Sequence, residues 1–199
     1  MLQMELPVIN PDTHERADAA RNRRRILAAA QRLFAQRGVS CTSMEAIAAE
    51  AGVGKGTIFR RFGDRATLAL AVLDETERAF QDALLYGEPP LGPGVEPVER
   101  LIAFGEATLD RLECQGDLLF EAETASGGAW VRSEPRAIHW LHIHNLVQQA
   151  RPDCDADLVT DTLLGALSAQ LFIFQRRRRG MELERLKAGF ADLVQRLVY

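Results

Sequence analysis

A glycine-rich stretch with a lysine and a threonine lies at residues 51–62, which read AGVGKGTIFRRF. Glycines that free backbone N–H groups, beside a hydroxyl that binds magnesium, are the means of holding a nucleotide phosphate. That motif is G-x-x-x-x-G-K followed by Ser or Thr, but Gly56 follows Lys55 and Ala49 stands where the first glycine belongs. A dinucleotide-binding G-x-G-x-x-G would need a preceding strand and a glycine in place of Thr57. The spacing therefore argues against nucleotide binding.

Three histidines in the stretch IHWLHIHN are the other candidates for chemistry. His139 and His142 are three residues apart and share a helix face, so they could bind a metal. His144 lies about 200° around the helix from His142, and no carboxylate or thiol is spaced to complete a site. Polar groups lining a pocket, or hydrogen-bonded histidines on a half-buried helix, are the favoured interpretation. We predict no metal, no cofactor and no catalytic residue, since no nucleophile–base pair stands out.

Helical spacing of apolar residues surrounds the glycine-rich stretch. A helix over 21–37 ends at Gly38, and Thr42 or Ser43 is placed to cap a short second helix. The turn at 52–54 separates that helix from a third, Lys55 to Phe62, and Asp64 can cap a fourth that runs to about residue 86.

Two short helices joined by a tight glycine-containing turn form a helix-turn-helix. Ile58 and Phe62, four residues apart, would anchor the second of these helices, which leaves its small and basic residues facing outward. The charge agrees, because residues 21–65 carry ten Lys or Arg and only three Asp or Glu, whereas the whole chain has a net charge of -4. This basic segment predicts a surface for a polyanion.

The stretch TSMEAIAAEAGVGKGTIFRRFGDRATL resembles the DNA-binding domain of TetR-type bacterial transcriptional regulators. The match runs through the pattern I-A-x-x-A-G-V-x-x-G-T-[IL]-[YF]-x-x-F and, with the preceding helix, covers about 45 residues. The resemblance implies a homodimer that binds a palindromic double-stranded DNA operator, and a helical body that binds a small-molecule effector. The three distant cysteines, Cys41, Cys114 and Cys154, form no C-x-x-C and favour a reducing cytoplasm, and no stretch approaches the ~18 apolar residues of a membrane span, so no membrane partner is expected.

The resemblance also assigns roles by position. It implies phosphate contacts at Thr42 and Ser43 and contacts in the major groove at three residues of the third helix: Lys55, Gly56 and Thr57. It implies a phosphate clamp around a further set: Phe59, Arg60, Arg61 and Arg65. Phe59 replaces the more common Tyr and Arg61 the more common His, so the clamp should rely more on charge and weaken more steeply with salt.

The rest of the chain predicts further helices, after a Pro/Gly-rich loop at 87–97, over 97–113, 117–125, 134–150, 155–178 and 181–198. The predicted fold is all-α, with an N-terminal three-helix helix-turn-helix domain and a larger helical ligand-binding and dimerisation domain. We expect a flexible tail over 1–18, the DNA-binding domain over 19–64 and the body over 65–199.

Two long apolar helices close the chain, and such a pair from each protomer forms the dimer interface in the family that the sequence resembles. The predicted interface residues are Leu163, Leu167, Leu171, Phe174, Leu186, Phe190 and Leu193. Ordinary packing within one chain is the alternative, and some of these residues must serve it. The run Arg176 to Arg179 is interpreted as cations that complement a helix C-terminus, which Gly180 then ends.

Aromatic residues and the histidines could line an effector pocket in the body. The candidates are Phe104, Phe120, Trp130, His139, Trp140 and His142. These aromatic residues suit a core equally well. The sequence thus predicts a dimeric repressor, with an effector-independent architectural DNA-binding protein and a helical enzyme as the alternatives.

Overall fold

The computed structural model describes residues 11–39, 41–125 and 134–198, and the regular structure in these ranges is helical. The all-α prediction is confirmed. The N-terminal helices are α1 (Pro11–Arg37), α2 (Met44–Ala51), α3 (Lys55–Phe62) and α4 (Arg65–Tyr86). The later ones are α5 (Pro97–Ala125), α6 (Glu134–Ala150), α7 (Ala156–Ala166), α8 (Ala169–Ile173), a π-helical turn (Phe174–Arg178) and α9 (Leu183–Val198).

The helices fall into two compact units that divide within α4, between Val72 and Leu73. In the first unit, α1 packs against α2 and α2 against α3. Ile26, Ile47 and Ile58 contribute one isoleucine from each of these helices, and all three are fully buried. Burial of such side chains is the main stabilising contribution available to helices this short.

Two helices extend further than the sequence predicted. The structure begins α1 at Pro11, so residues 11–18 of the expected tail lie in a helix, and residues 1–10 lie outside the described residues. A single helix α5 replaces the predicted pair 97–113 and 117–125. Gln115 and Gly116, which lie in the gap between the two predicted ranges, are both buried, and Gln115 accepts a hydrogen bond from Thr76 Oγ1 at 3.0 Å. Tertiary contacts therefore carry the helix through a locally weak position.

The predicted helix 155–178 is broken in the structure. The α7 helix ends at Ala166, and Ser168 caps α8 by accepting a hydrogen bond from the Leu171 amide at 3.4 Å. A serine hydroxyl competes with the helical hydrogen bonds in this way, which a count of apolar spacing does not register. Within the described residues no single helix is long and apolar enough to cross a membrane, and only the bent pair Ala156–Ala166 and Ala169–Arg178 meets those criteria together.

The second unit has its core around α5, which packs against α6, α8 and α9. Gly105 lets α9 approach α5 closely, since a Cβ at this position would overlap the ring of Phe190. Phe104, Ile143 and Leu163 are almost fully buried in the same core.

Candidate functional site

The turn between α2 and α3 is set by Gly52, whose φ of 62° and ψ of 40° lie in the left-handed region. The amides of Gly52 and Val53 donate to the carbonyl oxygens of Ala49 and Ala48 at 3.1 and 3.0 Å, which is a Schellman arrangement. Arg25 of α1 donates to the Gly52 carbonyl oxygen at 3.3 Å. The turn thus ends α2 within one residue and starts α3 at a fixed angle to it.

Two residues before α2 were predicted to contact phosphate, and the structure separates them. Ser43 is exposed and caps α2, since its Oγ accepts from the Ala46 amide at 3.1 Å. Thr42 is only 1% exposed, and its hydroxyl donates to the Gly38 carbonyl oxygen at 2.8 Å. The Thr42 side chain is therefore directed into the protein, where it caps α1, and we remove it from the candidate DNA-contacting residues.

The third helix presents two different faces. Ile58 and Phe62 are buried, as the sequence predicted, and fix the helix to the core. The predicted contact residues of the third helix all keep solvent access: Lys55, Gly56, Phe59, Arg60 and Arg61 are exposed, and Thr57 is half-buried. With two small residues in its first turn and arginines in its last, this face can approach the base edges of a groove while the cations meet phosphates.

An ion pair that the sequence did not reveal lies on this face. Lys55 Nζ is 2.6 Å from Glu45 Oε1, and it lies over the ring of Phe59 at 5.6 Å from the centroid. The hydrogen bond from Lys55 lowers the pKa of Glu45. The pair joins the first turns of α2 and α3, ten residues apart, so only the observed turn geometry brings it together.

The start of α4 closes the basic surface. Asp64 Oδ1 accepts from the Thr67 amide at 2.8 Å, which confirms the predicted cap and lowers the pKa of this carboxyl group. Arg65 is exposed and donates from Nη1 to the Thr42 carbonyl oxygen at 3.3 Å. Arg65 thus links the start of α4 to the segment before α2.

The helices α2 and α3 form a helix-turn-helix whose second helix is exposed and basic, and this arrangement is typical of DNA-binding proteins. The family model described as "Bacterial regulatory proteins, tetR family" matches residues 26–72, which contain this motif. An HTH-type transcriptional regulator of Staphylococcus aureus strain MRSA252 is 45% identical over 171 residues, or 85% of this chain and 90% of the relative. The chain belongs to the TetR family of bacterial regulatory proteins.

Other comparisons agree with this assignment. A second HTH-type regulator, from S. aureus strain bovine RF122 / ET3-1, is 42% identical over 65 residues, which span 33% of this chain and 35% of that relative. A transcriptional regulator of Saccharomonospora viridis, solved in complex with choline, has a TM-score of 0.66 at 21% identity over 87% of this chain and 95% of its own. That likeness establishes the shared fold. The curated relatives are transcriptional regulators rather than enzymes.

The second unit contains a cavity of about 50 Å³ whose wall carries charged groups. Glu77 accepts hydrogen bonds from Arg111 Nη2 at 2.9 Å and from Gln81 Nε2 at 2.7 Å. His139 Nε2 lies 2.9 Å from Glu77 Oε1, within ion-pair distance although the two groups are poorly aligned for a hydrogen bond. Burial alone would raise the pKa of Glu77, but the contact with His139 and the charge of Arg111 lower it to about 2.

Only some of the predicted pocket residues line the cavity in the structure. Phe104 and His139 line the cavity. His142 lies beside them, with its ring 5.9 Å from that of Phe104, but it is not part of the cavity wall. Trp140 is directed elsewhere, donating from Nε1 to Asp161 at 2.9 Å. Phe120 is partly buried and packs against the core, and Trp130 lies outside the described residues.

His142 is neutral at neutral pH in this environment. Burial, together with the charges of Arg100 and His139, lowers its pKa to about 4. In the described part of the chain no group of three or more His, Cys, Asp or Glu side chains is arranged to hold a metal ion.

The predicted interface residues are also divided. Four of them, Leu163, Leu167, Leu186 and Phe190, are at most 7% exposed and belong to the core of the protomer itself. That was the alternative left open by the sequence, and we remove these four from the candidate interface. The other three keep solvent access: Leu171 is 37% exposed, Phe174 is 51% exposed and Leu193 is half-buried.

The arginine run after α8 is held within the protomer. Arg176 makes a two-pronged contact with Glu113, from Nε at 2.9 Å and from Nη2 at 2.6 Å. Arg177 donates to Asp117 at 2.7 Å. Two of the four arginines therefore pair with acidic residues on α5, in addition to their favourable position at a helix end.

Proposed function

We propose that this protein is a transcriptional repressor that binds a palindromic operator as a homodimer and is released by a small-molecule effector. The first turn of α3 carries the proposal, because Lys55, Gly56 and Thr57 keep solvent access on one side of this helix while Ile58 and Phe62 fix the other side to the core. A helix with this arrangement suits docking in a major groove.

The proposed DNA contacts fall into two groups. Lys55, Gly56 and Thr57 would approach base edges, where small side chains allow close contact. The surrounding residues would hold the phosphate backbone: Ser43, Phe59, Arg60, Arg61 and Arg65. Because Phe59 lacks a hydroxyl group and Arg61 carries a fixed charge, we expect this second group to act mainly through electrostatics.

A two-fold dimer would match the symmetry of a palindrome and place two α3 helices about 34–36 Å apart, one turn of DNA. Leu171 and Leu193 line an apolar groove of about 230 Å³. Leu171 and Phe174, together with Leu158, which is 65% exposed, offer apolar surface for a second copy of the chain. Functionally, we assign residues 19–64 to DNA binding and 65–199 to the effector and the dimer.

The proposed regulation is a two-state equilibrium. One state has the α3 spacing that fits the operator, and the effector binds the other state more tightly, so it shifts the balance only by that difference in affinity. The α4 helix contributes residues to both compact units and gives a continuous route for this coupling. The Saccharomonospora viridis neighbour was solved with choline, so the fold accommodates a small organic molecule. We expect the protein in the cytoplasm, where its operator lies.

Selection of bound sequences from a random duplex pool at near-physiological salt tests the proposal. The expected product is a palindrome with half-sites about one turn apart. Recovery of DNA without a shared sequence would instead identify an architectural DNA-binding protein, and no recovery at low salt would refute DNA binding.

Two substitutions then distinguish the groups of contacts on the recovered operator. Thr57→Ala should relax base preference, by about 1–3 kcal/mol at the contacted pair. Arg60→Ala should weaken binding to all sequences alike and reduce the salt slope by about one. Unchanged binding by both variants would mean that the wrong face of α3 has been assigned.

A further inference from the structure

The cavity of the second unit has a specific charge arrangement, and it indicates the chemistry of what binds there. Its only carboxylate among the described residues, Glu77, already interacts with Arg111, Gln81 and His139. Contacts from three sides leave this carboxylate little capacity to attract a further cation.

The cations in the same wall outnumber the carboxylate. Two guanidinium groups, those of Arg111 and Arg136, line the cavity, against the single carboxylate of Glu77. Arg111 Nε is buried and has no hydrogen-bond partner within the described residues. A buried donor of a charged group without an acceptor is costly, and an anionic oxygen would satisfy it.

The aromatic groups do not form a cage for a cation. Arg111 already covers the ring of Phe80, with Cζ 4.5 Å from the centroid. The rings of Phe80 and Phe104 each meet His139 edge-on, with centroids 5.4 Å apart. These contacts use the rings within the protein, whereas a quaternary ammonium ligand needs free aromatic faces.

Most of the remaining wall is apolar, with Leu112, Leu119, Leu164 and Leu167, and the hydroxyl of Thr108 is already donated to the Phe104 carbonyl oxygen at 2.8 Å. These leucines favour a compact hydrocarbon body attached to the charged end of a ligand. The cavity of about 50 Å³ is far below the roughly 300–1,000 Å³ of pockets for drug-sized ligands, so the ligand must be small or must widen the cavity.

We propose that the effector is a small organic carboxylate with an apolar body, whose anionic oxygens bind the guanidinium of Arg111 beside Arg136. This inference rests on the proposed function for its regulatory meaning, but ligand binding can be measured without DNA. Glu77 repels an anionic ligand in this cavity, but its hydrogen bond to Arg111 also holds the guanidinium in position.

The test uses matched pairs of probes on the full-length protein: phenylacetate with phenylacetamide, hexanoate with hexanamide, and choline as a cation. Calorimetric titration should show each acid binding about tenfold or more tightly than its amide, because only the acid offers a charged acceptor. Stronger binding of choline or of the amides would overturn the proposal. So would a folded protein that binds none of the acids at millimolar concentration.

Three variants separate a charge effect from a folding effect. Glu77→Gln keeps the side-chain shape and removes the opposing charge, so acid affinity should rise severalfold; a fall would contradict the proposed anion site. Arg111→Gln should abolish the preference for acids, although it leaves Glu77 without its cation. The double variant Glu77→Gln/Arg111→Gln avoids that unpaired charge and should likewise bind acids and amides equally, with helical content checked by circular dichroism. A retained preference for acids in the folded double variant would overturn the role of Arg111.

The regulatory role is measured separately, by the release of labelled operator when phenylacetate or hexanoate is added. Binding of the acid without release would support the ligand class and refute release by this effector. Release by choline alone, without binding of either acid, would overturn the ligand class and leave the proposed repression intact.

Discussion

Substitution of Gly52 by alanine tests whether the helix-turn-helix depends on the left-handed turn. Alanine at φ 62° and ψ 40° carries a conformational cost of about 1–2 kcal/mol. The added Cβ would also overlap Arg25 Nη2, the far end of a flexible side chain that can shift away. That shift would weaken an exposed hydrogen bond of 3.3 Å to the Gly52 carbonyl oxygen, so the total should remain about 1–3 kcal/mol.

Amide hydrogen exchange followed by mass spectrometry is the suitable assay, because it reports the local opening of α2 and α3 in the intact protein. A loss of about 1–3 kcal/mol should speed exchange of these amides about 5- to 150-fold. The matched control is Gly56→Ala, which adds the same methyl group inside α3, where it meets no atom within 4 Å beyond its chain neighbours and the local helix backbone. A helical alanine there should slow exchange roughly two- to fivefold.

Both substitutions add one methyl group, but they should change the exchange rate in opposite directions. The difference between them therefore reports the backbone conformation and not the size of the side chain. Equal effects in both variants, or unchanged exchange in Gly52→Ala, would refute the reasoning, because the turn would then not require its left-handed residue. Peptides from α9 supply the internal reference, since neither substitution should change their exchange.

Three further outcomes are expected. Glu45→Gln should release the charge of Lys55 for the DNA groove, so operator binding measured by fluorescence anisotropy should tighten and its salt slope steepen by up to about one; an unchanged slope would show that this pair does not compete with DNA. The lowered pKa of Glu77 stabilises the fold above its unfolded value near 4.5, and this stability is lost as pH falls through about 2; the melting temperature of Glu77→Gln should therefore change less between pH 5 and pH 2 than that of the wild type, and parallel curves would contradict this. Gly105→Ala should force Phe190 aside at a cost of about 1–3 kcal/mol and lower the melting temperature in a thermal scan, whereas an unchanged value would mean that α5 and α9 can separate freely.

The helix-turn-helix was predictable because its signals lie within a few residues of one another. Ser43 and Asp64 cap the helices that directly follow them, and Gly52 ends the helix that directly precedes it. Each of these hydrogen bonds joins residues five or fewer positions apart, so the local sequence is enough to predict it. The orientation of Thr42 was not predictable in this way, since its hydroxyl serves the end of the preceding helix instead of the start of the next.

The cavity was not predictable because its charged groups come from three separate helices. Glu77 on α4, Arg111 on α5 and His139 on α6 meet over a span of 62 residues. The sequence singled out His139 by its neighbouring histidines, but no local pattern connects it to a glutamate so far away. Only tertiary packing turns these residues into one cluster, and the same packing directs Trp140 to Asp161 instead of the cavity.

Apolar spacing identifies which face of a helix is buried, but not whether the partner belongs to the same chain. Leu163 and Leu167 follow the periodicity expected of an interface helix, yet the core of the protomer already buries them. A second copy can bury only what the first copy leaves exposed, so the free energy of dimerisation must come from a different set of side chains. Leu158 and Phe174, at 65% and 51% exposure, retain apolar area that association can still remove from water. The proposed interface therefore consists of the apolar residues that the core of the protomer leaves exposed, and only the structure shows which residues these are.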